Sequence, residues 1–303
     1  MNKIPVGKTV TFAYNFLFAR IGTVVGVATL PALLASAVDY LVRSYTSTEE
    51  TEAAAGANLL IWLAGTVVTI FISSVATVGI TRAALGVPLG RDAYYFPVGP
   101  LELRMFVAKL RFWVGVVALL VLASIMSGLA VLLAGVPIDG AGAIQPSGAT
   151  LVAGLATWAA FGYAIFTILR MGFLLSATVV AEERGGLQRS HDLSRGNFWR
   201  IVAVLIALAA PILVLVSVAS IVILSASLGD DYVRVLEQAD MLELMRRGEE
   251  AVKQNVLLWE AFNMAIFILA SSLIYSASAY AYRTLTTKSP WEADPLRPPA
   301  AGN

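Results

Sequence analysis

Residues 151–181 read LVAGLATWAAFGYAIFTILRMGFLLSATVVA, a run broken by a single charge, Arg170. The part before it, Leu151–Leu169, is already long enough as a helix to cross a hydrocarbon core of about 30 Å. After Arg170 the chain stays apolar through Ala181. A guanidinium at mid-membrane costs about 2.5–3.5 kcal/mol on insertion scales. Setting Arg170 at the membrane boundary avoids that cost and carries Met171–Ala181 beyond the bilayer. An apolar helix placed there needs protein around it. The pattern therefore predicts a packed layer around Met171–Arg200, with the overlong fifth span as its cover.

Five further stretches have bilayer length: Ile21–Val42, Leu59–Thr81, Phe112–Val136, Ile201–Leu228 and Leu258–Tyr282. Charged residues make up 14% of the chain and mean hydropathy is +0.78, whereas soluble domains carry about 25% charged residues. Lipid forces backbone polar groups to pair internally, which leaves helices or closed barrels. The in–out alternation of a barrel is absent, so the expected fold is all-α: a polytopic membrane protein of six transmembrane helices. Fifteen of the 21 Lys and Arg residues fall on one side of these spans, including Lys3, Lys8, Arg104, Arg189 and Arg195. Five fall on the other, and Arg170 lies within a span. By the positive-inside rule both termini face the cytoplasm.

The absence of cysteine excludes disulfides, thiol catalysis and cysteine-ligated metals, and one His cannot build a metal site alone. No cofactor is expected. The cations are dispersed and form no basic stripe, so no nucleic-acid partner is expected. The run Ile21–Leu34 followed by Ala35-Ser36-Ala37 imitates a cleavable leader. The segment before it is too long and too aromatic for one, with Phe12, Tyr14, Phe16 and Phe18. It is expected to be retained.

A faint repeat runs through the chain. Arg20-Ile21 precedes Pro31 as Arg200-Ile201 precedes Pro211, and Phe18 and Phe198 share that register. Short amphipathic segments, Thr9–Arg20, Leu101–Arg111 and Gly186–Arg195, precede the odd-numbered spans. They are expected to lie in the inner headgroup layer, aromatics toward lipid and cations toward phosphate. Residues 1–285 thus form a six-helix membrane domain of three hairpins. Gly22 and Gly26 offer a small-residue packing face, and Pro31 and Pro211 should bend their helices. The loop Gly229–Val256 has helical spacing and reads as an external amphipathic helix. Glu260 and Asp39 fall near that face, within reach of water. The tail 286–303, rich in Pro, reads as disordered.

Within the predicted layer, Gly196 suits the left-handed conformation that ends a helix, and Asn197 suits the cap of the next. Glu182 and Glu183 stand near Arg184, Arg189 and Arg195 in sequence. The patch is thus either a self-neutralising structural turn or a basic pocket for headgroups. The segment Gly186–Ile201 contains Arg189-Ser190, Leu193, Arg195-Gly196-Asn197-Phe198, and it follows Arg170 and Glu182. It resembles the bacterial membrane-domain family named after glycerophosphoryl diester phosphodiesterases. That likeness implies a multi-helix domain of the bacterial cytoplasmic membrane, sometimes fused to a soluble hydrolase. His191 departs from the Trp common in that family, and the proline many members carry within Met171–Ala181 is missing. The fused catalytic barrel is absent from this chain, so hydrolase activity does not carry over.

These observations lead to a non-enzymatic membrane protein that binds anionic lipid headgroups or a protein partner in envelope or lipid homeostasis. Arg170, Arg189, Arg195 and Asn197 are its candidate binding residues. His191, beside Asp192, is a weaker candidate for a pH sensor and a poor one for catalysis. The rival reading is a transporter for a small or lipidic solute, which a cavity lined by Thr66, Thr69, Ser73, Ser74, Thr157 or Tyr163 would favour. Against transport, the spans hold almost no buried polar or ionisable group beyond Arg170. A third reading, chemistry within the membrane, lacks clustered Asp, His or Ser/Lys groups in the spans.

Overall fold

The computed structural model describes residues 3–46, 52–89, 96–133, 148–183, 186–228 and 255–287. Among them the helices are α1 Val6–Ala19, α2 Ile21–Tyr45, α3 Glu52–Leu85, α4 Pro100–Leu133, α5 Gly148–Gly172, α6 Leu175–Glu182, α7 Leu187–Leu193, α8 Phe198–Leu228 and α9 Val256–Thr286. The fold is all-α, and six helical segments are long and apolar enough to cross a membrane: α2, α3, α4, α5 with α6, α8 and α9. The segment expected as an external helix, 229–254, and the tail from 288 lie outside the described residues.

The short helix α1 earns its place through a 3.6-residue pattern. Thr9, Phe12, Ala13, Phe16 and Leu17 are buried, one face of a helix. They pack on α9 and α8, and the Phe12 ring stacks on Tyr280 at 4.9 Å. The expectation that its aromatics point into lipid is therefore corrected for Phe12 and Phe16. Only Phe18, 69% exposed, faces outward. The second segment, Leu101–Arg111, is not a separate element; it forms the opening turns of the 34-residue α4. The helices α2 and α8 run through Pro31 and Pro211.

The fourth span breaks. Helix α5 stops at Gly172, Phe173 and Leu174 turn, and α6 restarts. Interrupting a helix frees carbonyls that need new donors. The Ser190 hydroxyl on α7 supplies one, donating to Met171 O at 2.7 Å, with Arg170 O at 3.5 Å. Every residue from Phe173 to Val180 is buried. The apolar continuation is covered as far as Val180, as its composition required, while Ala181 is exposed. The cover comes chiefly from α3, α4 and α9, not from the fifth span. The core clusters lie along this level, with Val78, Met105, Val179, Leu208 and Ala277 each 1% exposed or less.

Of the two glycines expected to pack closely, Gly22 does not, and close approach occurs at other glycines. A Cβ on Gly22 would meet nothing within 4 Å, whereas on Gly65 it would lie 2.3 Å from Val42 Cγ2. On Gly172 it would lie 2.9 Å from Phe112 Cζ, and on Gly186 2.3 Å from Thr178 Oγ1. Gly186 thus lets the start of α7 press against α6. Overpacking of this kind costs about 1–3 kcal/mol. Gly186→Val is expected to lower the thermal midpoint of the detergent-solubilised protein by several degrees. Gly154→Val, where a Cβ meets nothing within 4 Å, should leave it nearly unchanged. Equal midpoints would contradict the packing described.

Candidate functional site

One end of the bundle gathers α1, α6, α7, the start of α8 and the adjoining ends of α3, α4 and α9. It is called the basic end below. Three arginines stitch it together through backbone carbonyls. Arg20 donates to Ala83 O at 3.3 Å, Arg200 to Ile4 O at 2.8 Å and Arg104 to Glu183 O at 2.8 Å. Glu183 sits in the left-handed region at φ 51°, a conformation uncommon outside glycine. The Arg104 bond holds the carbonyl exposed by that turn.

The residues expected to bind a ligand divide by their surroundings. Arg170 donates to His191 O at 3.2 Å and lies 5.2 Å from the Phe166 ring. With Ser190 reaching back to Met171, this makes a reciprocal tie between α5 and α7. The Arg170 Nε is buried without a partner. Arg189 donates to Glu182 Oε1 at 2.9 Å, and Tyr282 donates to the same oxygen at 3.0 Å. The hydrogen bond to Glu182 and its charge raise the Arg189 pKa above the ordinary value. Asn197 is 2% exposed, and its Oδ1 accepts from Ile4 N–H at 3.0 Å. Its carbonyl receives the first α8 bonds, from Arg200 and Ile201. Gly196 has the expected left-handed backbone, φ 77°. Asn197 is thus a clasp on the N-terminal segment as well as the start of α8.

Arg195 differs from these. It is exposed, and its guanidinium has no partner among the described residues; the same holds for Lys3, Lys8 and Arg111. Two large aromatic side chains of this end are also exposed, Phe18 at 69% and Trp199 at 78%. His191 Nδ1 lies 3.8 Å from Asp192 Oδ1. Among the described carboxylates of this end, Glu182 and Glu183 are engaged by arginines.

Sequence reasoning missed a second polar cluster. Lys109, one of the fifteen cations assigned by sequence to the cytoplasmic side and part of the Leu101–Arg111 segment, turns its ammonium into the bundle. It donates to Thr77 Oγ1 at 2.6 Å, to Ser73 O and Oγ at 3.1 Å each, and to Tyr275 OH at 3.4 Å. The spans therefore do hold a second internal cation, correcting the expectation that Arg170 stands alone. The signal was present: Lys109 and Arg111 are two residues apart, about 200° around a helix, and cannot share a face. Beside this cluster, Thr66, Thr69 and Ser73 line a groove of about 690 Å³ between α2, α3 and α4. Ser74 is instead fully buried and Tyr163 is 66% exposed.

Comparison with protein-family models, with characterised proteins and with solved structures finds no match. The fold itself defines the class: a multi-pass, all-α integral membrane protein.

Removing a buried acceptor leaves its donor unsatisfied at about 1–3 kcal/mol. Asn197→Ala is expected to destabilise by that amount in thermal unfolding and to speed proteolysis of the N-terminal segment. Unchanged stability and proteolysis would contradict the clasp. Lys109→Met should behave differently. The Ser73 and Thr77 hydroxyls also donate to carbonyls of their own helix, Ile70 O at 2.9 Å and Ser73 O at 2.7 Å. Replacing a buried charge by an apolar group of similar length is often neutral or stabilising. The thermal midpoint of Lys109→Met should hold within a few degrees. A large fall would make Lys109 a structural lock.

Proposed function

We propose that this membrane protein binds anionic lipid headgroups at its basic end and that this end faces the cytoplasm of a bacterial cell. The observation that carries the proposal is the set of four exposed cations without partners, Lys3, Lys8, Arg111 and Arg195, on an end that also bears the exposed rings of Phe18 and Trp199. Aromatic rings at this level suit the headgroup layer, and cations beside them attract anionic lipid at about 1 kcal/mol each. Arg195 is the direct contact among the residues singled out by sequence. Arg170, Arg189 and Asn197 hold the surface that presents it. The role is non-catalytic, in envelope or lipid homeostasis. The resemblance of Gly186–Ile201 to the phosphodiesterase-associated membrane domains is in keeping with it.

A second reading, movement of a small or lipidic solute, is favoured by one observation. The groove lined by Thr66, Thr69 and Ser73 adjoins the internal Lys109 cluster. Solute pathways through membranes commonly carry such internal charges.

The test is native mass spectrometry of the protein extracted from its membrane, comparing the wild type with Lys3→Gln/Lys8→Gln/Arg195→Gln. The combined variant should lose most co-purifying anionic lipid, at about 1 kcal/mol per cation removed. An unchanged lipid profile would remove the proposal's support. Loss of a co-purifying protein with the lipid profile unchanged would assign this end to a protein partner.

A further inference from the structure

At the far end of the bundle a smaller cavity of about 280 Å³ lies between α2 and α9, lined by Ser36, Asp39, Thr69, Glu260, Asn263 and apolar neighbours. Asp39 and Thr69 also line the 690 Å³ groove. The two spaces therefore adjoin at these two side chains, the smaller, or mouth, with a more polar lining and the larger, or body, mostly apolar. The body is walled by Trp62, Leu63, Val67, Trp113, Val114 and Val117.

The mouth is unusual in its hydrogen bonding. Many hydroxyls in these spans return to a carbonyl of their own helix, as Thr66, Ser74, Ser124 and Thr167 do. Ser36, Thr69, Asn263 and Glu260 have no hydrogen-bond or ion-pair partner among the described residues, and Glu260 Oε1 is buried. Asp39 is already matched by Arg43 at 2.6 Å. Glu260 therefore presents to the cavity a carboxyl group that no described cation pairs. A buried polar group without a partner costs free energy that a ligand can recover.

Depth supports the same conclusion. Asp39 precedes the α2 end at Tyr45 by six residues, and Glu260 follows the α9 start at Val256 by four. At about 1.5 Å per residue both lie within about 10 Å of the helix ends. The charged mouth is thus near the membrane surface, and the groove runs from it toward Ser73 and Leu110 in the interior.

We infer that this composite cavity is a binding site for a lipophilic monocation, an amphiphile with one positively charged centre on an apolar body. The charged centre sits between Glu260 and Asp39, with Asn263, Ser36 and Thr69 supplying neutral oxygens. The apolar body fills the groove against Trp62 and Trp113, whose rings also attract cationic groups. The volume lies in the range of small-molecule sites. The site is independent of the basic end, so its test leaves the lipid-headgroup proposal untouched.

The experiment uses the full chain in nanodiscs of neutral lipid and two isosteric probes, tetraphenylphosphonium and tetraphenylborate. Equilibrium binding is measured for wild type, Glu260→Gln and Thr66→Trp, each checked for a wild-type thermal midpoint. Saturable tetraphenylphosphonium binding is expected, with tetraphenylborate showing only partitioning into lipid. Glu260→Gln should weaken cation binding by about tenfold, the loss of one close charge pair worth about 1.4 kcal/mol. Thr66→Trp, which fills the groove, should weaken it at least as much. Equal binding of the two probes, no saturable binding, or unchanged affinity in either variant would overturn the inference. If Glu260→Gln does not reach the wild-type midpoint, Asn263→Leu replaces it, with the same expected loss and the same overturning result.

Discussion

The fold depends on hiding one short apolar helix. From Phe173 to Val180 every residue of the fourth span is buried, so the first six residues of α6 leave no face for solvent or lipid. A helix buried all round must be enclosed by neighbours, and α3, α4 and α9 converge on it. That convergence sets where the core lies and why it is uneven. The combined α5–α6 span has 50% of its most apolar stretch buried, whereas α4 has 11%. The helices close tightly around α6 and leave large apolar side chains outward elsewhere, as expected where lipid is the surrounding solvent.

The break that creates α6 also creates the surface above it. Stopping α5 at Gly172 exposes carbonyls that Ser190 satisfies, and this draws α7 against α5. Arg170 answers from the other side by reaching His191 O. With α7 fixed, the chain turns at Gly196 and places Asn197 where it holds Ile4. The N-terminal segment is thereby pinned over α8 and α9. Lys3, Lys8 and Arg195 are thus presented by one connected set of backbone bonds. Exposed ion pairs contribute little here, as is usual at a solvated surface.

Much of this was legible in the sequence because hydropathy is a property of composition. The six spans, the need to cover the apolar residues after Arg170 and the left-handed Gly196 all follow from residue type and length. The helix break was not legible, since a lone glycine inside an apolar run is tolerated without one. Nor was the role of Ser190, which depends on two segments meeting in space. The facing direction of α1 was misjudged because an amphipathic helix buries its apolar side equally well in lipid or in protein. Lys109 was misplaced because its neighbours Arg104 and Arg111 are exposed, and loop membership was assigned by proximity instead of by helical angle. The far-end cavity joins α2, α3, α4 and α9, and no pattern within one helix reports such a meeting. The expectation that Asp39 and Glu260 lie near the far surface did place its mouth.

The fold rests on the enclosure of α6, and the absence of cysteine from the chain makes that enclosure directly measurable. Single-cysteine variants at Val179 and at Arg195 would be labelled with a membrane-impermeant maleimide in inside-out vesicles and in detergent. Cysteine at 195 should react readily in inside-out vesicles, whereas cysteine at 179 should stay unlabelled until the protein is denatured. Rapid labelling at 179 in the folded protein would show that α6 is open to water and would contradict the packing on which everything above it rests.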